Sequence, residues 1–500
     1  MTIDYSSAGH YLLALLPEVV LSGAAMLVLL VDVFQKGSAS RPSSRTIPWL
    51  AGAGVALAFA ANLWLLGLEE AGSAGMMAID SFRVFSNALF LLAAALFLGM
   101  APRYLEENGM HLGELYALVL FATVGMMVFS GSRDLIVIFL GLELLSVAVY
   151  VLTASNRRDV RSAEGGLKYF LLGAFSSAFL LFGVALVYGS TGTVNLARLG
   201  VVLADGGGRL VGFGLALLLV GYAFKIAAVP FHMWTPDAYE GAPTPVTAFM
   251  AAAVKAAAFA SLVRVLLTAF PGLYGTWGQM AFWLAVLTMV TANLIALTQD
   301  NVKRLLAYSS IAHAGYLLVA VAAGTDVGAA AFLFYLAVYT LMNVGAFAVM
   351  MTVARLGETR LGLDEYRGLA WREPLIAIAM TIFLLSLAGF PLTGGFIGKL
   401  YILRAAVERG LLVLAVVLVL TSLLSYWYYL RIAWHMWFQD PEGEGVAPLA
   451  LPAGVAAVLV ACIVGVLATG IFPGALLDLA SAGAAALGGP SFGAAGAAAP

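Results

Sequence analysis

Apolar stretches of about 20 residues, each long enough to cross a bilayer, recur along nearly the whole of this 500-residue chain. Cutting at polar and Gly/Pro-rich breaks leaves fourteen, at approximately 11–34, 47–67, 82–101, 112–131, 134–154, 162–188, 209–237, 244–270, 277–299, 302–323, 328–354, 374–404, 411–438 and 449–472. They are apolar on every face, unlike amphipathic soluble helices, and a closed barrel would instead alternate over segments of about 10 residues. The pattern predicts an all-α polytopic membrane protein of about 14 transmembrane helices. Composition agrees, with 62% hydrophobic and 10% charged residues and a mean hydropathy of +0.99, far from soluble domains.

A net charge of −2 offers no footprint for nucleic acid, and the single cysteine, Cys462, excludes an internal disulfide framework or a thiolate metal cluster. The opening MTIDYSSAGH lacks the basic residues of a signal peptide, so the first apolar run reads as a retained span. Between spans, one side collects Lys36, Arg41, Arg45, Arg103, Arg157, Arg158, Arg161, Lys303, Arg304, Arg355, Arg360, Arg367 and Arg372, and the other Arg133, Arg198, Arg209, Arg404 and Arg409. The positive-inside rule makes the first side cytoplasmic and leaves both termini outside. The Ala/Gly-rich tail at 481–500 has nothing to bury and is expected to be disordered.

Proline interrupts two spans, Pro230 in FKIAAVPFHMW and Pro391 in LSLAGFPLTGGFIGK. At membrane depth the backbone groups freed by a proline are tolerated only where protein or water satisfies them. These are spans 7 and 12, five apart, and broken helices at corresponding places in two halves point to inverted repeats. The expected organisation is three N-terminal helices (1–110), a first five-helix repeat of spans 4–8 (111–272), a second of spans 9–13 (273–440) and a last helix (441–480). The register is imperfect, since Lys225 precedes its proline by five residues and Lys399 follows its own by eight. Each proline could also be a packing kink alone.

Four of the six lysines, Lys168, Lys225, Lys255 and Lys399, lie inside apolar stretches. Ionisable residues are costly there and usually mark an ion or proton path. Glu143, in IFLGLELLSVAVY, has no opposite charge within one turn of its own helix and needs a partner elsewhere. Lys168 follows Glu164 by four residues, so a local surface pair competes with a functional role. His232, just beyond Pro230, and His313, in SSIAHAGYLL, are the histidines placed to pass protons between lysines. A satisfied core histidine is the bland reading of each. GGFIGKL fails as a phosphate loop by one residue of spacing, and no His/Cys spacing suits a metal.

The segments FKIAAVPFHMWTPDAYEGAPTPVTAFMAAAVKAAA, LGLELLS, EGGLKYFLLGAFSSA, QDNVKRLLAYSSIAHAGY and GFPLTGGFIGKLYIL resemble the antiporter-like, proton-translocating membrane subunits of respiratory complex I, the NADH:quinone oxidoreductase, over about 110–435. The wording WTPDAYEGAPTPV favours the N type over the L and M types. The resemblance implies that Glu143 of span 5 pairs with Lys225 of span 7, that Lys168 matches a sixth-span lysine, that Lys255 lies on a central hydrophilic axis and that Lys399 opens the far half-channel. It also implies a bacterial inner-membrane translocase subunit without a redox centre of its own. FMN, iron–sulfur clusters and quinone belong to other subunits, and the partners are the other membrane-arm subunits, antiporter-like and small, within the lipid bilayer. A subunit of a cation/proton antiporter or of a membrane-bound hydrogenase complex is the alternative, since both share the lysine axis or the fold.

Overall fold

The chain is described here by a computed structural model over residues 2–3, 8–36, 46–70, 75–110, 113–354, 358, 361–441, 449 and 451–487. Twelve helices among them are long and apolar enough to cross a membrane uninterrupted. In span order they are Leu16–Lys36, Thr46–Trp64, Ser81–Glu107, Gly113–Gly131, Leu135–Thr153, Val160–Thr191, Thr244–Ala269, Tyr274–Ala296, Val302–Ala323, Asp326–Ala354, Leu412–Phe438 and Ala453–Ile471. The two remaining expected spans are the interrupted ones. Span 7 divides into 7a (Arg209–Lys225) and 7b (Trp234–Gly241), and span 12 into 12a (Pro374–Ala388) and 12b (Gly394–Glu408). A two-residue parallel strand pair, Thr2–Ile3 with Glu69–Glu70, adds little to an all-helical fold.

Both breaks begin before their prolines. A proline ring clashes with the carbonyl four residues back and cannot donate to it, so 7a stops at Lys225 and 12a at Ala388. Positive φ angles then turn the chain, at Ala227 (+61°) in the first break and at Gly389 (+92°) and Leu392 (+72°) in the second. Helix Gly474–Ala485 carries the chain past the expected start of the disordered tail at 481. The alanines there bury Ala480 and Ala484 against other helices, which the low-complexity reading did not foresee. The rest of that expected tail, 488–500, lies outside the described residues.

The helix pairings recur with an offset of five. Spans 4 and 5 pack together, as do 9 and 10; span 6 packs on 7a and 7b, as span 11 does on 12a and 12b; span 8 packs on 4, as 13 does on 9. Small residues permit the closest approaches. A Cβ added at Gly183 of span 6 would lie 2.7 Å from the carbonyl oxygen of Gly214 in 7a.

Two buried charge clusters brace the ends of the bundle. At one end Asp80 caps span 3 and accepts from both guanidinium NH2 groups of Arg264 at 2.8 and 2.9 Å. Burial alone would raise the Asp80 carboxyl, but the Arg264 charge and hydrogen bonds hold it below the usual carboxylate range. At the other end Glu358 accepts from Lys303 at 2.5 Å, from the backbone N–H and hydroxyl of Thr244 at 2.8 and 2.5 Å, and from the Tyr104 hydroxyl. Burial again works against the charge, and Lys303 again outweighs it to keep the carboxyl low.

Candidate proton path

Lys225 is the last residue of 7a, so its ammonium stands at the negative end of a helix dipole. It is 4% exposed and donates to the Ser146 hydroxyl at 2.8 Å and the Tyr169 hydroxyl at 3.4 Å. Its Nζ also lies 5.3 and 5.2 Å from the ring centres of Tyr150 and Tyr169. Lys399 reaches the same kind of place from the other side of its break. It springs from 12b and donates to the carbonyls of Leu387 and Ala388, the last two of 12a, at 2.9 Å each. The mismatch in sequence register therefore disappears in space, because both ammoniums sit at the C-terminus of the first half-helix. Lys399 also lies over the Tyr316 ring at 4.7 Å.

Lys255 follows a π turn, Met250–Val254, that interrupts span 8 without ending it. Such turns free backbone groups and are frequent at functional sites. Its ammonium donates to the carbonyl and hydroxyl of Ser310 at 2.7 and 2.5 Å. One turn further along span 10, His313 is hydrogen-bonded through Nδ1 to the Tyr335 hydroxyl at 2.6 Å and through Nε2 to the Tyr429 hydroxyl at 3.1 Å. Tyr429 also bonds Ser309, and the Tyr335 ring lies against Gly398, the neighbour of Lys399. Hydroxyls thus stand at Lys255 and on both sides of His313, and the Tyr335 ring reaches the residue next to Lys399.

Three expected residues stand apart from it. Glu143 does not form the expected ion pair with Lys225. Its Oε1 is buried without a hydrogen-bond partner, and Ser146, one turn along the same helix, occupies the contact with Lys225 instead. His232 is only half-buried in the first break, with Nδ1 unpartnered, and touches none of the lysines by hydrogen bond among the described residues. Lys168 is surface-facing, paired with Glu164 at 2.6 Å and with Asp237 of 7b at 2.7 Å. From Lys225 a run of ring contacts leads through Tyr169 and Trp234 to Tyr239.

Sequence reasoning missed the hydroxyls. Ser310 and His313 share one helix face by their three-residue spacing, a readable signal, whereas Tyr335 and Tyr429 arrive from spans 11 and 13 and give none. Among the described residues no group of three His, Cys, Asp or Glu side chains is placed to hold a metal.

Residues 132–425 match the family described as NADH:quinone oxidoreductase/Mrp antiporter, TM. The chain is 46% identical over 469 residues to NADH-quinone oxidoreductase subunit N of Trichlorobacter lovleyi, a match that covers 93% of this chain and 95% of that one. The chain belongs to the subunit N family. Its fold is similar to that of a chain in respiratory complex I from Thermus thermophilus with bound aureothin, at TM-score 0.79 and 37% identity over 93% of this chain and 99% of that chain. It is also similar to a chain of the archaeal membrane-bound sulfane sulfur reductase, at TM-score 0.84 and 26% identity over 95% and 97%. For a subunit N family member, the N-type wording of WTPDAYEGAPTPV and the complex I resemblance are borne out.

Proposed function

We propose that this chain is a proton-translocating membrane-arm subunit of NADH:quinone oxidoreductase, and that protons pass along Lys225, Lys255, His313 and Lys399 while quinone is reduced elsewhere in the complex. One observation carries the path. These four groups are 4%, 2%, 1% and 7% exposed, and none has a carboxylate within ion-pair distance among the described residues. A buried ammonium without a counter-charge is costly, while the neutral amine at the same place costs far less, so such a group suits transient protonation. Hydroxyls of Ser146, Ser310, Tyr335 and Tyr429 both donate and accept, which a proton relay requires.

Glu143 is the acid beside the Lys225 end of the path, acting through its charge at a distance longer than an ion pair. Lys168 adjoins the path through its chain neighbour Tyr169 and its bond to Asp237, while His232 lies in the first break without a hydrogen bond to any of the four among the described residues. The chain works as a translocase subunit with its redox chemistry on partner subunits that carry FMN, iron–sulfur clusters and quinone. It lies in a bacterial inner membrane with both termini on the periplasmic side, the orientation the loop arginines and lysines favour.

The test is proton movement by the whole complex in liposomes. Replacing Lys255 by Met should lower the protons moved per quinone reduced while the complex still assembles. An assembled Lys255→Met complex with the parent proton ratio would overturn the path.

A further inference from the structure

Half-helix 7b is clamped along two sides, and the clamp meets the path. Its Asp237 carboxylate takes Lys168 of span 6 at 2.7 Å on one oxygen and Arg304 of span 10 at 3.0 Å on the other. One turn on, Glu240 takes Arg304 at 2.7 Å and Asn301 at 3.0 Å. Asp237 thus links span 6, one of spans 4–8, to span 10, one of spans 9–13.

The inner side of the same half-helix covers Tyr169, one of the two hydroxyl partners of Lys225. Trp234 lies three residues before Asp237, and its indole stacks on Tyr169 with ring centres 4.0 Å apart and planes 2° from parallel. Tyr169 neighbours Lys168 in the chain and is the hydroxyl that Lys225 touches. The indole N–H also ties back across the break to the carbonyl of Phe224 at 3.0 Å. Span 6 and 7b are therefore fastened twice, by Lys168–Asp237 outside and by Tyr169–Trp234 inside. Glycines make the fit close: a Cβ at Gly165 of span 6 would lie 2.7 Å from the Asp237 carbonyl oxygen, and one at Gly241 would lie 2.2 Å from that of Arg161. Beyond this seal, a cavity of about 190 Å³ opens among Phe175, Ser176, Phe179, Phe224, Phe231 and Trp234. The Trp234 and Phe224 side chains are its wall toward Tyr169 and Lys225.

We propose that Asp237 is a positioning residue that holds 7b against span 6 and so keeps Lys225 screened, and that Arg304 gives the second half of the chain a grip on this screen. The inference rests on the proton path proposed above. Loss of either bridge loosens 7b, lifts the Trp234 indole from Tyr169 and opens Lys225 to water. The physical reason is that the bridges lie at the half-exposed rim, where ion pairs are weak enough to exchange, while the seal beneath is a dry aromatic contact.

The experiment measures access and not flux. In the assembled complex in liposomes, Lys225→Cys is labelled with a membrane-impermeant maleimide, and labelling is read on the peptide that carries residue 225. Adding Asp237→Asn, which keeps shape and removes charge, should speed labelling about fivefold, the scale of losing partly exposed ion pairs. Arg304→Gln should do the same from the other half, and Gly165→Ala should do so by pushing on the Asp237 carbonyl. Asp237→Glu, which can still bridge, should label near the parent rate. Parent-rate labelling of both Asp237→Asn and Gly165→Ala would overturn the proposal, as would Asp237→Glu labelling as fast as Asp237→Asn. Labelling needs no proton flux, so these outcomes leave the path itself standing. The path fails separately, if Lys225→Gln pumps like the parent.

Discussion

His313 is the most completely satisfied polar side chain on the path, with a tyrosine hydroxyl on each ring nitrogen. Tyr429→Phe removes one of them and leaves a buried nitrogen unpaired, a cost of about 1–3 kcal/mol. Tyr428 is an internal control. It is equally buried, beside Tyr429, and its hydroxyl donates to Asn293 at 3.0 Å and not to the histidine. Both phenylalanine variants should lower the unfolding temperature of the assembled complex by similar amounts. Only Tyr429→Phe should also lower the protons moved per quinone reduced, and equal pumping by the two would remove the tyrosine from the relay. The lysines could be found from hydropathy because a charge among apolar neighbours is a local anomaly. Their partners could not, because a tyrosine in an apolar helix looks the same whether its hydroxyl meets lipid headgroups, a histidine or another helix. Glu143 illustrates the limit from the other direction: a serine one helical turn away takes the contact that charge complementarity assigned to the glutamate.

The elements were more legible than the contacts. Span lengths follow from bilayer thickness, which the chain must obey, and prolines announced both broken helices. What the prolines did not announce was that each break begins up to five residues earlier and brings a lysine to the end of the preceding half-helix. Gly389 makes this arrangement testable. Its φ of +92° favours glycine, and an added Cβ would lie 3.0 Å from the Lys399 Cδ. Gly389→Ala should therefore strain the backbone by about 1–2 kcal/mol and also push the ammonium off the Leu387 and Ala388 carbonyls. Gly410 has a similar φ of +77° with open space around it. Gly410→Ala should carry the strain alone, with a comparable drop in thermal stability and parent pumping. If the two variants pump alike, the position of Lys399 against the end of 12a is not what matters.

At the scale of the whole molecule, three independent features share the offset of five spans: the broken helices, the helix pairings, and the placing of an ammonium at the end of the first half-helix. An odd offset has a geometric consequence. If every span crosses, a helix and its counterpart five spans later run in opposite directions, so 7a and 12a approach mid-membrane from opposite faces. We infer that spans 4–8 and 9–13 are inverted copies, each supplying one half of a path whose two mouths open on opposite sides. Arg157 lies between spans 5 and 6, and Asp326 lies at the corresponding turn between spans 10 and 11; both are exposed. With five crossings between them, Arg157→Cys should react with an impermeant thiol reagent only from the face rich in loop arginines and lysines, and Asp326→Cys only from the other. Reaction of both from the same face would mean an even number of crossings, and neither the inverted repeat nor two opposed half-channels could then be kept.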